Sequence, residues 1–351
     1  MPSILEGEER SNRADPERER HAPSPAIVAL RETHDLAAAI AREAELPLVP
    51  IEERRFEAGE FKLRPLESVR GRTVFVVQSL AGTSEAPTCD RLVRLLFLVQ
   101  GLRDAGARPI AVVPYLAFAR KDQRTQLRDP VSSRYVAELL EAAGVRRVIG
   151  LDVHNAAAFD NAFRVPTDHL SALPLMVEHF ARGLTGPAAI TVVSPDVGGI
   201  KRAQRLRERL AARIGLDVKL AFIEKRRANE VVTGGHLAGD IAGRDVIVVD
   251  DLCATGGTLI RAARACRQAG AASVRVAVTH VPLATGLEAV LGADEISQVV
   301  ITDSVGAAPQ AGARGTLTIL SVGPLLGEAL RRMVEGRAVA PLLERWPVSD
   351  P

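Results

Sequence analysis

Residues 246–258 read VIVVDDLCATGGT. Val246, Ile247, Val248 and Val249 form a short apolar run, as expected of a strand buried on both faces of a parallel sheet. The run ends in Asp250 and Asp251, at the carboxyl end of that strand, where open α/β sheets place their ligands. Two adjacent carboxylates there cost several kcal/mol of desolvation unless cations or hydroxyls meet them, so they do not serve stability. Thr255, Gly256, Gly257 and Thr258 follow, and the spacing of Leu259, Ala262, Ala263 and Cys266 predicts an amphipathic helix. A helix start with bare amides, two hydroxyls and no obstructing side chain is an anion site, because unpaired N–H groups and the helix dipole both favour phosphate.

Outward from this stretch, the chain has 351 residues, enough for about two domains at roughly 150 residues each. Hydrophobic residues make up 47% and aromatic residues 3%, so the expected core is aliphatic. A net charge of +2 gives no case for a nucleic-acid surface. No apolar run reaches the ~18 residues of a membrane helix. Cys89, Cys253 and Cys266 lack metal-ligand spacing and cannot all pair, which favours a reducing, cytoplasmic setting. Residues 1–25, rich in Glu, Arg, Ser and Pro, read as a disordered tail. Beyond it, apolar runs alternate with helical patterns, which predicts an α/β fold with mainly parallel sheets flanked by helices.

An internal repeat sharpens the organisation. GRTVFVVQSLAGTS from Gly71 lies over GRDVIVVDDLCATGG from Gly243 at a constant offset, and each copy runs through a helix to an Ala-Gly-Ala turn, at 105–107 and 269–271. Where the second copy has Asp250 and Asp251, the first has Gln78 and Ser79. Two domains built on one fold are expected, at 26–170 and 171–340, with a short tail over 341–351.

Other segments carry chemistry. PYLAFARKDQR from Pro114 gathers Arg120, Lys121 and Arg124 around Asp122, suited either to a polyphosphate or to solvent. RRFEAGEF from Arg54 offers Phe56, a ring that can stack on a base or fill a core, and Glu60. In GLDVHN from Gly150, Asp152 and His154 stand two apart, on one side of the chain if it stays extended. VVSPDVGG from Val192 places Asp196 at a strand end before a helix opened by Gly198 and Gly199. Lys225, Arg226 and Arg227 enter a polar loop running to Gly239, where cations can close over a transferring group.

In this order, ESVRG, PY-x-x-x-AR-x-D, D-x-H, SPD-x-GG, KRR and DD-x-x-x-TGGT resemble the ribose-phosphate diphosphokinase family, from about Ala26 to Arg337. The resemblance implies two tandem phosphoribosyltransferase-like domains, an ATP side at 26–170 and a ribose 5-phosphate side at 171–340. It implies ribose 5-phosphate on Asp250, Asp251, Thr255, Gly256, Gly257 and Thr258, and ATP near Phe56, Glu60, Arg120, Lys121 and Asp122. Lys225, Arg227 and His154 become the catalytic residues, and Mg2+ would meet His154 and Asp196. Because the family's adenine pocket includes a neighbouring subunit, a homo-oligomer follows, with no nucleic-acid or membrane partner. Departures from the family's pattern are Ala58, Lys121, Gln123, Arg164 and Ala254. The Asp250–Thr258 loop alone also fits a phosphoribosyltransferase, and Ala58 with Ala254 would suit a non-catalytic regulatory paralogue, against which the KRR segment argues.

Overall fold

The computed structural model describes residues 23–83, 86–183, 189–228, 231–306 and 316–346. The first half runs β1 (Ala26–Ala29), α1 (His34–Ala44), β2 (Ile51–Arg55), β3 (Phe61–Pro65), β4 (Thr73–Val77), α2 (Thr88–Asp104), β5 (Arg108–Val113), α3 (Ser132–Ala143), β6 (Val148–Leu151), α4 (Ala156–Ala162) and β7 (Thr167–Leu170). Its five-stranded sheet has the order β1-β4-β5-β6-β7, parallel throughout. Continuous apolar runs such as AIVA in β1 and VFVV in β4 are buried along their length, as parallel strands covered on both faces must be.

The second half runs α5 (Leu173–Gly183), β8 (Ile190–Ser194), α6 (Ile200–Ile214), β9 (Val218–Ala228), β10 (Val231–Ala238), β11 (Asp245–Leu252), α7 (Gly257–Gln268), β12 (Ser273–His280), α8 (Ala284–Leu291), β13 (Gln298–Thr302), β14 (Thr316–Leu320) and α9 (Gly323–Val334). Its sheet has the order β10-β9-β8-β11-β12-β13-β14. Only β10 is antiparallel to its neighbour.

The two sheets repeat one design. Strands β1, β4, β5, β6 and β7 hold the places that β8, β11, β12, β13 and β14 hold in the second half. In both, a helix and a two-stranded hairpin separate the first two of these strands. The turn bonds also coincide. Gly71 N–H donates to Gly106 O at 2.9 Å and Gly243 N–H to Gly270 O at 2.8 Å, and Gly106 and Gly270 have φ of 86° and 87°. Glycine is required at such turns because a side chain clashes with the backbone at positive φ.

Several segments differ from the sequence expectation. The segment carrying Phe56 and Glu60 is the turn, at 56–60, of the hairpin formed by β2 and β3. The polar loop expected from Lys225 to Gly239 is instead the antiparallel pair β9–β10 at the sheet edge. The charged run from Glu224 to Arg227 carries no apolar alternation, and the ladder to the partner strand is what makes it a strand. Leu342 is fully buried, so folded chain continues past residue 340 into the expected tail. Of the expected tail over 1–25, residues 1–22 lie outside the described residues. No described helix is long and apolar enough to cross a membrane.

One apolar core joins the halves. It takes Ile27, Phe75 and Ile149 from the first sheet, Val192, Val249 and Val300 from the second, and α1, α5, α6 and α9 between them. Helix α9 approaches α1 closely through two glycines. A Cβ on Gly323 would lie 2.6 Å from Ala39 Cβ, and one on Gly327 would lie 2.5 Å from Glu43 Cβ and 2.8 Å from Ile40 O. The backbone oxygen cannot move aside as a side chain can. Gly327→Ala is expected to destabilise the protein by about 1–3 kcal/mol through overpacking, read by denaturant unfolding. An unchanged midpoint would show that the contact does not set the helix spacing.

Candidate active site

The carboxyl ends of parallel strands from both halves open on one cleft of about 840 Å3. From β11 come Asp250, half-buried, and Asp251, 5% exposed. The valines before them are buried on both faces of the sheet, so the chain has no freedom to carry the acids elsewhere. The strand then leaves the sheet at Cys253, whose N–H donates to His280 O at 2.8 Å, and turns through Thr255 and Gly256 into α7. Gly256 has φ of 78°, and a Cβ there would lie 2.9 Å from Gly286 O. No other residue fits both constraints. Thr255, Gly256 and Thr258 line the cleft, and the first amides of α7, beginning at Gly257, stand beside them.

Cations from two other elements meet the carboxylates. His154, reached from β6 in the first half, bonds Asp251 Oδ2 through Nδ1 at 2.7 Å. Arg202, on α6, brings Nη1 to 3.5 Å from Asp250 Oδ1 and 3.3 Å from Asp251 Oδ1. Burial and the adjacent Asp251 carboxylate raise the proton affinity of Asp250 far above the usual carboxylate range. Burial also works to raise Asp251, but the hydrogen bond from His154 and the charge of Arg202 outweigh it and hold Asp251 well below that range. The bond to Asp251 in turn raises His154 above its ordinary value, against the opposing effect of burial. The arrangement holds one firm carboxylate and one that readily keeps a proton, both facing a polar cavity.

Asp196 lines the same cleft at the end of β8, where its Oδ1 accepts from Gly199 N–H at 3.1 Å and so caps the turn that leads into α6. Arg120, Lys121 and Asp122, from the first half, also line the cleft. Asp122 Oδ2 accepts from Asn155 Nδ2 at 2.7 Å. Lys121 is paired with Asp129 and bonds Thr125 Oγ1 at 3.1 Å, which turns its charge toward its own loop.

Other expected residues lie elsewhere. Phe56 is 41% exposed and Glu60 is exposed, both on the β2–β3 turn outside the cleft lining; Phe56 is no core residue, and Arg54 lies 5.0 Å above its ring. Lys225 and Arg227 fall in β9, and their side chains lie outside the described residues. Asp152 and His154 do not share a direction, because the strand stops at Leu151 and Asp152 takes a left-handed φ of 40°. Both residues line the cleft, Asp152 bonded to Ser171, Ala172 and Thr279 and His154 to Asp251.

Arg202 was missed by the sequence reading, as were Lys201 and Arg205 beside it on the cleft wall. The available signal was their position in the first turns of the helix opened by SPDVGG, where cations meet whatever that helix start binds. Among the described residues, no group of three or more His, Cys, Asp and Glu side chains is placed to hold a metal ion.

Comparisons with known proteins cover both halves of the chain. Residues 25–144 match the model for the N-terminal domain of ribose phosphate pyrophosphokinase, and residues 178–308 match the phosphoribosyl transferase domain. The chain is 38% identical to a ribose-phosphate pyrophosphokinase of Granulibacter bethesdensis, over 91% of this chain and 99% of that protein. It is 39% identical to one of Fusobacterium nucleatum, over 88% and 94%. The crystal structure of phosphoribosylpyrophosphate synthetase from Mycobacterium smegmatis superposes with a TM-score of 0.78 at 31% identity, covering 90% of this chain and all of that one. With both domains in that order and such likeness along nearly the whole length of its relatives, the chain belongs to the ribose-phosphate pyrophosphokinase family.

Proposed function

We propose that this protein transfers the β,γ-diphosphate of ATP to the 1-hydroxyl of ribose 5-phosphate, giving 5-phosphoribosyl 1-diphosphate and AMP. The observation that carries the reading is the 2.7 Å bond from His154 to Asp251 across the cleft, beside the Thr255–Thr258 turn. Asp250 and Asp251 accept from ribose hydroxyls, and the 5-phosphate sits on the first amides of α7 between Thr255 and Thr258, with Gly256 and Gly257 leaving it room. The sugar's 1-hydroxyl oxygen bonds to the β-phosphorus as the bridge from that atom to the α-phosphate breaks. The hydroxyl proton passes to solvent, and AMP leaves with the bridging oxygen.

Arg120, Lys121 and Asp122 flank the nucleotide's phosphates. Phe56 and Glu60 lie outside the cleft of their own chain, which suits a nucleotide site completed by a neighbouring subunit in a homo-oligomer. Lys225 and Arg227, on the edge hairpin, close over the transferring group. Mg2+ needs no cage of several carboxylates, since it is commonly held by one or two carboxylates together with substrate phosphates. Asp196 and His154, both on the cleft wall, are the residues that would hold it, directly or through water. When bound, Mg2+ neutralises the phosphates and so eases attack on them. The free thiols Cys89, Cys253 and Cys266 suit a reducing cytoplasm.

The reading is tested by AMP release from ATP and Mg2+ with and without ribose 5-phosphate. AMP should form only with the sugar present; its absence while the sugar phosphate still binds would point to a non-catalytic member of the family. Lys225→Ala is expected to lower kcat by about 10³-fold or more, the usual scale for a cation on a transferring phosphoryl group, with ribose 5-phosphate affinity nearly unchanged. Full activity in that variant would remove the hairpin from the chemistry. Asp251→Asn should weaken ribose 5-phosphate binding in calorimetric titration, and an unaltered Kd would deny it that contact.

The His154–Asp251 pair also has a pH signature. Because the folded value of His154 lies above the ordinary value of about 6.5, its contribution to stability is complete below that pH and is lost as pH rises through the raised folded value. Thermal unfolding of His154→Gln and wild type across this range should converge as pH rises. A constant gap would mean that protonated His154 is not what the pair stabilises.

A further inference from the structure

The backbone that presents His154 is fastened at consecutive residues. Asp152 N–H donates to Leu170 O at 2.8 Å, and Val153 N–H donates to His169 Nε2 at 3.0 Å. Gly150 makes the turn possible, since a Cβ there would lie 2.8 Å from Val153 Cγ2. Asp152 itself is 6% exposed and takes a left-handed φ of 40°, a conformation uncommon outside glycine that Asp tolerates better than most residues.

Both Asp152 oxygens are engaged, and they reach different parts of the molecule. Oδ1 accepts from Ser171 Oγ at 2.7 Å, while Oδ2 accepts from Ala172 N–H at 3.0 Å and from Thr279 Oγ1 at 2.6 Å. Ser171 and Ala172 lie in the connection between the halves, and Thr279 lies in β12 of the second sheet, buried to 1% exposure. A neighbouring stitch runs alongside, from His280 Nε2 to Leu151 O at 3.1 Å. Strand β12 is the neighbour of β11, in register from Asp245 with Ser273 to Leu252 with His280. Thr279 therefore sits one strand away from Asp251, the acceptor that His154 must reach.

We infer that Asp152 is a positioning residue, which ties the end of β6 to β12 and thereby sets His154 against Asp251 across the two halves. The inference rests on the reading of His154 and Asp251 as members of the site. The Asp152 carboxylate lies at the cleft wall with both oxygens bonded to the chain, and its effect passes through the His154–Asp251 bond.

The test reads that bond directly in the resting protein, without substrates. A proton held between His154 Nδ1 and Asp251 Oδ2 gives a downfield proton resonance, assigned by its loss in His154→Gln. In Asp152→Asn and in Thr279→Val the resonance should move upfield or broaden through exchange. The kcat of Asp152→Asn should fall by up to about 10²-fold, the scale of a displaced reacting group, with a smaller fall for Thr279→Val. If Asp152→Asn does not fold, Thr279→Val decides alone, because it exchanges one buried side chain for another of the same shape. An unmoved resonance in the folded variants, or no His154-dependent resonance in wild type, overturns the inference. Because no substrate is present, that failure is separate from any failure of the proposed reaction.

Discussion

Two adjacent carboxylates at the end of a buried strand can persist only if charge of the opposite sign is brought to them. Here that charge comes from two directions. Arg202 reaches both acids from α6, and His154 reaches Asp251 from the other half of the molecule. The requirement links distant parts of the chain, because the second half alone leaves Asp251 without its closest partner. It also divides the pair electrostatically, with Asp251 held ionised and Asp250 inclined to keep a proton. A hydroxyl that approaches finds an acceptor and a neighbour able to share a proton.

Duplication explains how one chain comes to build such a cleft. Two sheets of the same strand order meet through a shared apolar core, with α1 against α9 and strand ends brought together on one side. The copies then differ where chemistry is needed. Gln78 and Ser79 stand at the strand end of the first copy, both fully buried, and Gln78 Oε1 accepts from Thr33 Oγ1 at 3.0 Å. That strand end is closed into the interior, while its counterpart opens on the cleft. The first half serves the site instead through the ends of β5 and β6, which carry Arg120, Asp122 and His154.

Much of this was legible in the sequence because local patterns carried it. Apolar runs ending in Asp250 and Asp251, the turn glycines, and the repeat at Gly71 and Gly243 all reflect constraints that act within a few residues. What was not legible depends on distance. The partners of Asp152, Thr279 and Ser171, lie far along the chain, and nothing near Asp152 announces them. Arg202 hides among the cations of a basic helix, where only its facing partner distinguishes it. The β9–β10 pair was read as a loop because its charges and glycines carry no apolar alternation, and pairing with β8 decides the matter.

The most direct measurement is the fate of radiophosphorus from ATP labelled at a single position and incubated with Mg2+ and ribose 5-phosphate. Label placed at the β or the γ position should appear together in the sugar diphosphate, and label at the α position should remain wholly in AMP. Transfer of γ label alone, with ADP as the other product, would contradict diphosphate transfer in this cleft.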